Sequence, residues 1–272
     1  KWAVPAIALV VGLIFLVQGS RTTEFTKNHP KPTDLIYAVN ADNNTAVWAS
    51  ANRPDEWTSQ LLPANAETKP IPEYVPVPRG LLHSSAPSVE LAPPVLSTVS
   101  DVMQSGVRTI SLNLRSQRQV PIISFTIESD TEIAGATING KRATFSSRPE
   151  ETHPRGARPG LGPMAGQPGQ MARPRWAFSY YAPPEQGIDV TLETKSHEPI
   201  RVRVVEQSYG LPEELLSSLT PRSDYMMPTP YPYSLYSEST LLSKRFDLPG
   251  ANPVAIPVAH HVTHQRAASS AQ

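Results

Sequence analysis

The sequence predicts a mainly β protein: a β-sandwich of about eight strands with short helices, preceded by one transmembrane helix. Three observations carry that reading. An uninterrupted apolar run, Trp2 through Val17, opens the chain without a single charge. The 30 prolines in 272 residues are about twice the usual share, a density that disfavours helix interiors and favours loops and sheet edges. From about residue 95 onward, apolar and polar residues alternate with period 2, as in strands with one dry and one wet face.

Residues 1 to 18 form the expected membrane helix. Ten Val, Leu, Ile or Phe residues there contribute about −0.3 to −0.6 kcal/mol each on an insertion scale, so the run favours a bilayer by roughly 3–6 kcal/mol. It falls short of the ~20 residues of a full span and starts at Lys1 without an initiator Met, so we expect it to end a longer set of spans. A secretory signal peptide is the rival reading, with Lys1 left from a basic n-region and Val17-Gln18-Gly19 before Ser20 as the cleavage context. Either reading sends residues 19 to 272 out of the cytoplasm, into a periplasm or an endoplasmic-reticulum lumen. The flanking Lys1, Arg21, Lys27 and Lys31 do not fix the orientation.

Residues 19 to 33 read as a polar stalk, and 34 to 250 as one extracytoplasmic domain. Asp34–Asn40 and Thr45–Ser50 are two strands joined through Ala-Asp-Asn-Asn turn chemistry. Pro54-Asp55-Glu56-Trp57 opens a short helix through Leu62, with Pro at the first position and two carboxylates at the positive end of the dipole. The proline-rich stretch 63 to 94 reads as extended surface chain. Strands follow around Ile110/Leu112/Leu114, Ile123/Phe125/Ile127 and Ala134/Ala136/Ile138, the last running into an Asn139-Gly140 hairpin turn. Further strands surround Trp176/Phe178/Tyr180, Ile188/Val190/Leu192, Ile200/Val202/Val204 and Leu241–Leu248. Strands of this kind pair as two sheets face to face. Leu211–Leu219 is a short helix with Pro near its start.

Residues 148 to 175 are a Pro/Gly/Arg insertion with too little apolar surface to offset its ordering entropy, and read as a disordered loop. Its arginines, Arg148, Arg155, Arg158, Arg173 and Arg175, are solvated or meet lipid headgroups or an acidic partner. Residues 251 to 272 read as a disordered tail.

Composition narrows the chemistry. Lys and Arg (24) balance Asp and Glu (24), so the clustered basic excess that nucleic-acid binding requires is missing, and no nucleic-acid partner is expected. Cys is absent, which excludes disulfides, thiolate nucleophiles and Cys-ligated metals. Of His29, His83, His153, His197, His260, His261 and His264, only the last three cluster. His260 and His264 would share a helical face as metal ligands do, but no nearby carboxylate orients them. Glu150-Glu151 falls in the insertion. Glu213-Glu214 falls in the first turn of a helix, where a dipole role suffices. Tyr225 to Tyr236, rich in Tyr and Pro, reads as an arm along a sandwich edge or as a ligand-stacking loop. Asn43-Asn44-Thr45 is a glycosylation sequon on a turn. His-Glu-x-x-His, Gly-x-Ser-x-Gly and a phosphate-cradling glycine loop do not occur. No residue is assigned as catalytic, cofactor-binding or metal-ligating.

An apolar segment precedes Leu35-Ile-Tyr-Ala-Val-Asn-Ala-Asp42. Ala46-Val-Trp-Ala-Ser50, Pro54-Asp-Glu-Trp-Thr-Ser-Gln60 and Glu238-Ser-Thr-Leu-Leu-Ser-Lys-Arg-Phe246 follow in that order. The combination resembles the C-terminal region of multi-span M28-type membrane zinc metallopeptidases, similar to the Fxna-like endoplasmic-reticulum aminopeptidases and their bacterial relatives. The resemblance implies a last membrane span followed by a β-rich domain. The zinc peptidase domain would lie upstream, holding a His-x-Asp, which does not occur here, and a Glu-Glu pair followed by Gly-Leu-x-Gly, a context that neither Glu150-Glu151 nor Glu213-Glu214 has, so no cofactor is expected here. It further implies a non-catalytic extracytoplasmic domain, held to the membrane through residues 1 to 18 and packed on the peptidase domain it supports or gates. The alternative is a secreted or membrane-anchored β-sandwich binding module.

Overall fold

The computed structural model describes residues 2–21, 25–75, 80–143, 176–229 and 237–251. The protein is mainly β, with several sheets and one N-terminal helix. Helix α1 (Ala3–Arg21) comes first. Then come β1 (Lys31–Thr33), β2 (Ile36–Asn40), β3 (Thr45–Ser50), a 3₁₀ turn (Thr58–Gln60), β4 (Glu67–Lys69) and β5 (Leu81–Ala86). The middle of the chain supplies β6 (Val95–Gln104), β7 (Val107–Arg115), β8 (Ile122–Ile127), β9 (Ile133–Ile138) and β10 (Lys141–Arg142). Last are β11 (Ala177–Tyr181), β12 (Ile188–Thr194), β13 (Ile200–Tyr209), α2 (Glu213–Leu216), β14 (Met226–Pro228) and β15 (Ser239–Leu248).

These strands form an eight-stranded sheet of order β11-β8-β13-β15-β2-β3-β5-β4, a five-stranded sheet of order β10-β9-β12-β7-β6, and a β1-β14 pair. Pairing is parallel for β1 with β14 and for β15 with β2, and antiparallel elsewhere among the named strands. Ile110, Leu112 and Leu114 of β7 and Ile188, Val190 and Leu192 of β12 meet Ile123, Phe125 and Ile127 of β8 and Ile200, Val202 and Val204 of β13 in one buried cluster. Each such side chain contributes roughly 1.5–3 kcal/mol of transfer free energy against the entropy of ordering it.

The β15-β2-β3 part of the eight-stranded sheet is covered on both faces. Leu35, Tyr37, Val39, Trp48 and Leu242 pack with Trp57, Leu62 and Met226 on one side. Ile36, Ala38, Ala49 and Leu241 lie on the other, against Ile71, Tyr74, Val75 and Leu81. A strand dry on both faces has no use for polar alternation, which is why Leu35 to Val39 is continuously apolar. Burial pushes the Tyr74 phenol up to about 12, and its hydroxyl donates to the Thr45 carbonyl at 3.4 Å.

Asn139 (φ 47°) and Gly140 (φ 76°) both take the left-handed conformation that the β9–β10 turn requires. Ser105 (φ 51°) and Gly106 (φ 79°) do the same between β6 and β7.

Several expectations are revised. Among the described residues fifteen strands replace about eight, because the two- and three-residue β1, β4, β10 and β14 are too short to carry a period and β5 and β6 lack clean alternation. The end of the stalk 19 to 33 is β1, fixed to β14. The helix expected from Pro54 to Leu62 is a single 3₁₀ turn, cut off by Pro63, which disfavours a helical conformation in the residue before it. The extended stretch 63 to 94 contains β4 and β5, and the helix at Leu211–Leu219 is reduced to α2. Of residues 1 to 18, those from Ala3 onward are helical within α1. However, 19 residues rise only about 28 Å against a hydrocarbon layer of about 30 Å. Among the described residues no helix is long and apolar enough to cross a membrane. The insertion 148 to 175 and nearly all of the tail 251 to 272 lie outside the described residues, and with them Glu150-Glu151, the five insertion arginines, His153, His260, His261 and His264.

Candidate functional site

One cluster of titratable side chains lies where the chain enters the β body. Asp55 begins it. Its Oδ1 accepts from the Trp57 N–H (2.9 Å), the Thr58 N–H (2.8 Å) and the Thr58 hydroxyl (3.0 Å), which satisfies the free donors at the start of the 3₁₀ turn. Burial alone would raise the Asp55 carboxyl, but these bonds outweigh it and hold the group below its usual range. The turn drives Trp57 into the core and leaves Glu56 outward.

Glu56 then ties two distant segments together. Lys31 of β1 donates to it at 2.5 Å, and the hydroxyl of Tyr225, beside β14, donates at 2.8 Å. These two bonds, with the Lys31 hydrogen bond the larger effect, hold the Glu56 carboxyl low, and the same Glu56 bond raises the Lys31 ammonium. Gln60 closes the other flank: it donates to the Thr220 carbonyl at 3.3 Å and accepts from the Thr220 N–H at 2.9 Å. Arg222 lies over the Trp57 ring, 5.4 Å from its centre, and pairs with Glu238. Burial lowers the Arg222 guanidinium from its ordinary value. Ser237 donates to the Thr33 carbonyl at 2.9 Å, and the Glu238 N–H donates to the Leu35 carbonyl at 2.7 Å. The segment Pro54–Gln60, one of those carrying the resemblance, therefore works as a clasp: one face caps a turn, one anchors a Trp, and the side chains of Glu56 and Gln60 fasten it to Lys31 of β1 and to Thr220 and Tyr225 ahead of β14.

Residues 25–30, ahead of β1, are folded. Thr26 and His29 exchange backbone hydrogen bonds at 3.0 Å, Phe25 stacks on His29 with ring centres 6.0 Å apart, and Lys27 pairs with Asp224 at 2.5 Å.

Two buried charges lie apart from this cluster. Arg108 is fully buried; its Nε and Nη2 hold both oxygens of Asp101 at 2.9 and 2.6 Å. The same guanidinium reaches the Glu198 carbonyl at 3.0 Å and the Pro249 carbonyl at 2.5 Å. Glu206, also fully buried, accepts from Arg118 at 3.1 Å; burial raises its carboxyl despite Arg118. Sequence reading passed over both. The signal was available, because Arg108 shares the parity of Ile110 and Leu112, and Glu206 that of Val202 and Val204, on strands whose in-facing positions were already identified.

The residues singled out from the sequence do not converge. Glu213 and Glu214 stand in the first turn of α2, at the end where a helix dipole favours carboxylates. Of Tyr225 to Tyr236, residues 225–229 are described: Tyr225 belongs to the clasp and Met226–Pro228 is β14. Asn43 is exposed on the β2–β3 turn, where its Oδ1 accepts from the Thr45 N–H at 3.1 Å and hydroxyl at 2.7 Å. His83 contacts the Leu81 carbonyl at 3.2 Å. Among the described residues no group of three or more His, Asp or Glu is placed to hold a metal ion. Comparisons with protein-family models, curated proteins and solved structures found no match.

Proposed function

We propose that this chain is a membrane-anchored, extracytoplasmic β-sandwich domain whose role is structural. It supports or gates an upstream zinc aminopeptidase-like domain, as the M28-type resemblance implies. One observation carries the reading. From Trp2 to Val17 the large apolar side chains of α1 are exposed, 44% to 85% each, around the whole circumference of the helix. Exposing that much apolar surface to water is costly, and a helix greasy on every side belongs in protein core or lipid. Each of these side chains keeps more than two-fifths of its surface open, and lipid is the solvent that fits. The clasp supports the second half of the reading. A domain that positions a neighbour must not swing freely on its anchor, and Lys31–Glu56–Tyr225 fastens the connecting strand to the body.

Two experiments test the proposal. Expressed in full and recovered in membranes, the chain should resist alkaline carbonate extraction; release into the supernatant would refute the anchor. The coding frame upstream of Lys1 should specify further apolar spans and a zinc exopeptidase domain. A frame with neither would refute the supporting role and leave an anchored binding module.

A further inference from the structure

Beyond residues 2–21, six large apolar or aromatic side chains are exposed among the described residues: Phe25, Val99, Val102, Tyr181, Tyr209 and Met227. Four of them gather at one end of the eight-stranded sheet. Tyr209 is the last residue of β13 and pairs with Ser239, the first of β15, which pairs in turn with Ile36, the first of β2. Tyr181, the last residue of β11, pairs with Ile122, and Ile122 with Gln207, two residues from Tyr209 on the same face. Met227 pairs with Pro32 of β1, the strand that leads directly into that end of β2. Phe25 lies in the turn just before β1. This is also the end where α1 attaches, since β1 begins ten positions after the last helical residue. Ten residues reach at most about 35 Å when extended, and the Thr26–His29 turn shortens that reach.

We propose that this end of the sheet rests on the headgroup layer of a lipid bilayer, with Phe25, Tyr181, Tyr209 and Met227 as its contacts. The inference depends on the reading of α1 as a membrane anchor. Tyrosine suits such a boundary because its ring is apolar and its hydroxyl is not, the property that concentrates Tyr and Trp at membrane interfaces. The opposite end of the body offers a control. Val102 pairs with Thr109, next to Arg108, whose guanidinium reaches the carbonyls of Glu198 before β13 and Pro249 after β15. Ten strand residues place that end roughly 30 Å from Tyr209.

The chain contains no Cys, so single labels are unambiguous. In the full chain, Tyr181→Cys, Tyr209→Cys, Met227→Cys, Leu9→Cys and Val102→Cys variants would each carry one environment-sensitive fluorophore. They would be reconstituted in phosphatidylcholine vesicles containing a lipid-borne quencher at headgroup depth, with circular dichroism confirming the fold of each. Labels at 181, 209 and 227 should be quenched at least twofold more than the label at 102. If the label at 9 contacts lipid while those at 181, 209 and 227 match the label at 102, the inference fails and the anchor stands. If they are shielded from both lipid and aqueous quenchers, the face is covered by protein and the inference fails. If the label at 9 itself meets no lipid, the anchor and the inference fail together.

Discussion

Replacing Arg108 with Met keeps an unbranched apolar stem, shorter than that of Arg, and removes the guanidinium. Four hydrogen bonds disappear: two charge-assisted bonds to Asp101 at 2.9 and 2.6 Å, and one each to the carbonyls of Glu198 and Pro249. Asp101 retains 25% exposure and can rehydrate. The two carbonyls depend on the space Met leaves for water, and an unsatisfied buried acceptor costs about 1–3 kcal/mol. Removing one partner of a buried ion pair costs about 3–5 kcal/mol, and we expect that range. For a chain of this size it corresponds to a fall in Tm of about 6–20 °C. Urea unfolding of the full chain in detergent, followed by the fluorescence of its four tryptophans, measures it. Asp101→Asn and the double variant complete a cycle, with an expected coupling of about 0.5–3 kcal/mol. A loss below about 1 kcal/mol for Arg108→Met, the scale of an exposed pair, would refute the view that this side chain joins the β6–β7 hairpin to both strands at one end of the β13–β15 pair.

Trp57→Ala should lose about 3–5 kcal/mol, because it empties a core position and removes the ring beneath Arg222; chemical denaturation checks it. Glu56→Gln should cost only about 0.2–1 kcal/mol near neutrality, since the pair is partly exposed. The wild-type carboxyl is held below its ordinary 4.5, so its contribution is complete above that value and disappears as pH falls through the folded one. Stability against pH should therefore be flatter on the acid side in Glu56→Gln, and an unchanged acid limb would show that the clasp bond is not made. Gly187→Ala should lower Tm, at a cost of about 1–3 kcal/mol. Its φ of +97° suits glycine, and a Cβ there would lie 2.5 Å from Asn113 Oδ1 and 2.9 Å from the Leu114 carbonyl; a neutral Tm would contradict the strain.

How legible each element was in the sequence follows from how it is buried. β7, β8, β12 and β13 were readable because one face meets the core, and period 2 records that. The β2–β3 pair was found through its turn and apolar run. β4, β5 and β6 were harder: β4 and β5 sit among prolines, and β6 is largely exposed on both faces, so neither situation imposes a period. The clasp could not be read from spacing. Lys31, Glu56 and Tyr225 are far apart in the chain, each is an ordinary polar residue in its local context, and only the parallel pairing of β1 with β14 brings them together. Arg108 and Glu206 were the opposite case, charges written at in-facing positions of readable strands, where parity alone marks them as buried.

The parallel pairing of β15 with β2 sets a schedule for biosynthesis. Residues 36 to 40 find their partner in residues 239 to 243, about 200 positions later. At ~5–20 residues per second, that interval is on the order of 10–40 s. During it the β2–β3 hairpin, apolar on both faces, is already outside the ribosome with one edge open, while α1 has been made before it. A nascent chain in that condition invites strand pairing with neighbours on the same polysome. Translation speed past residue 50, and any holdase that covers the hairpin, should therefore affect the yield of folded protein.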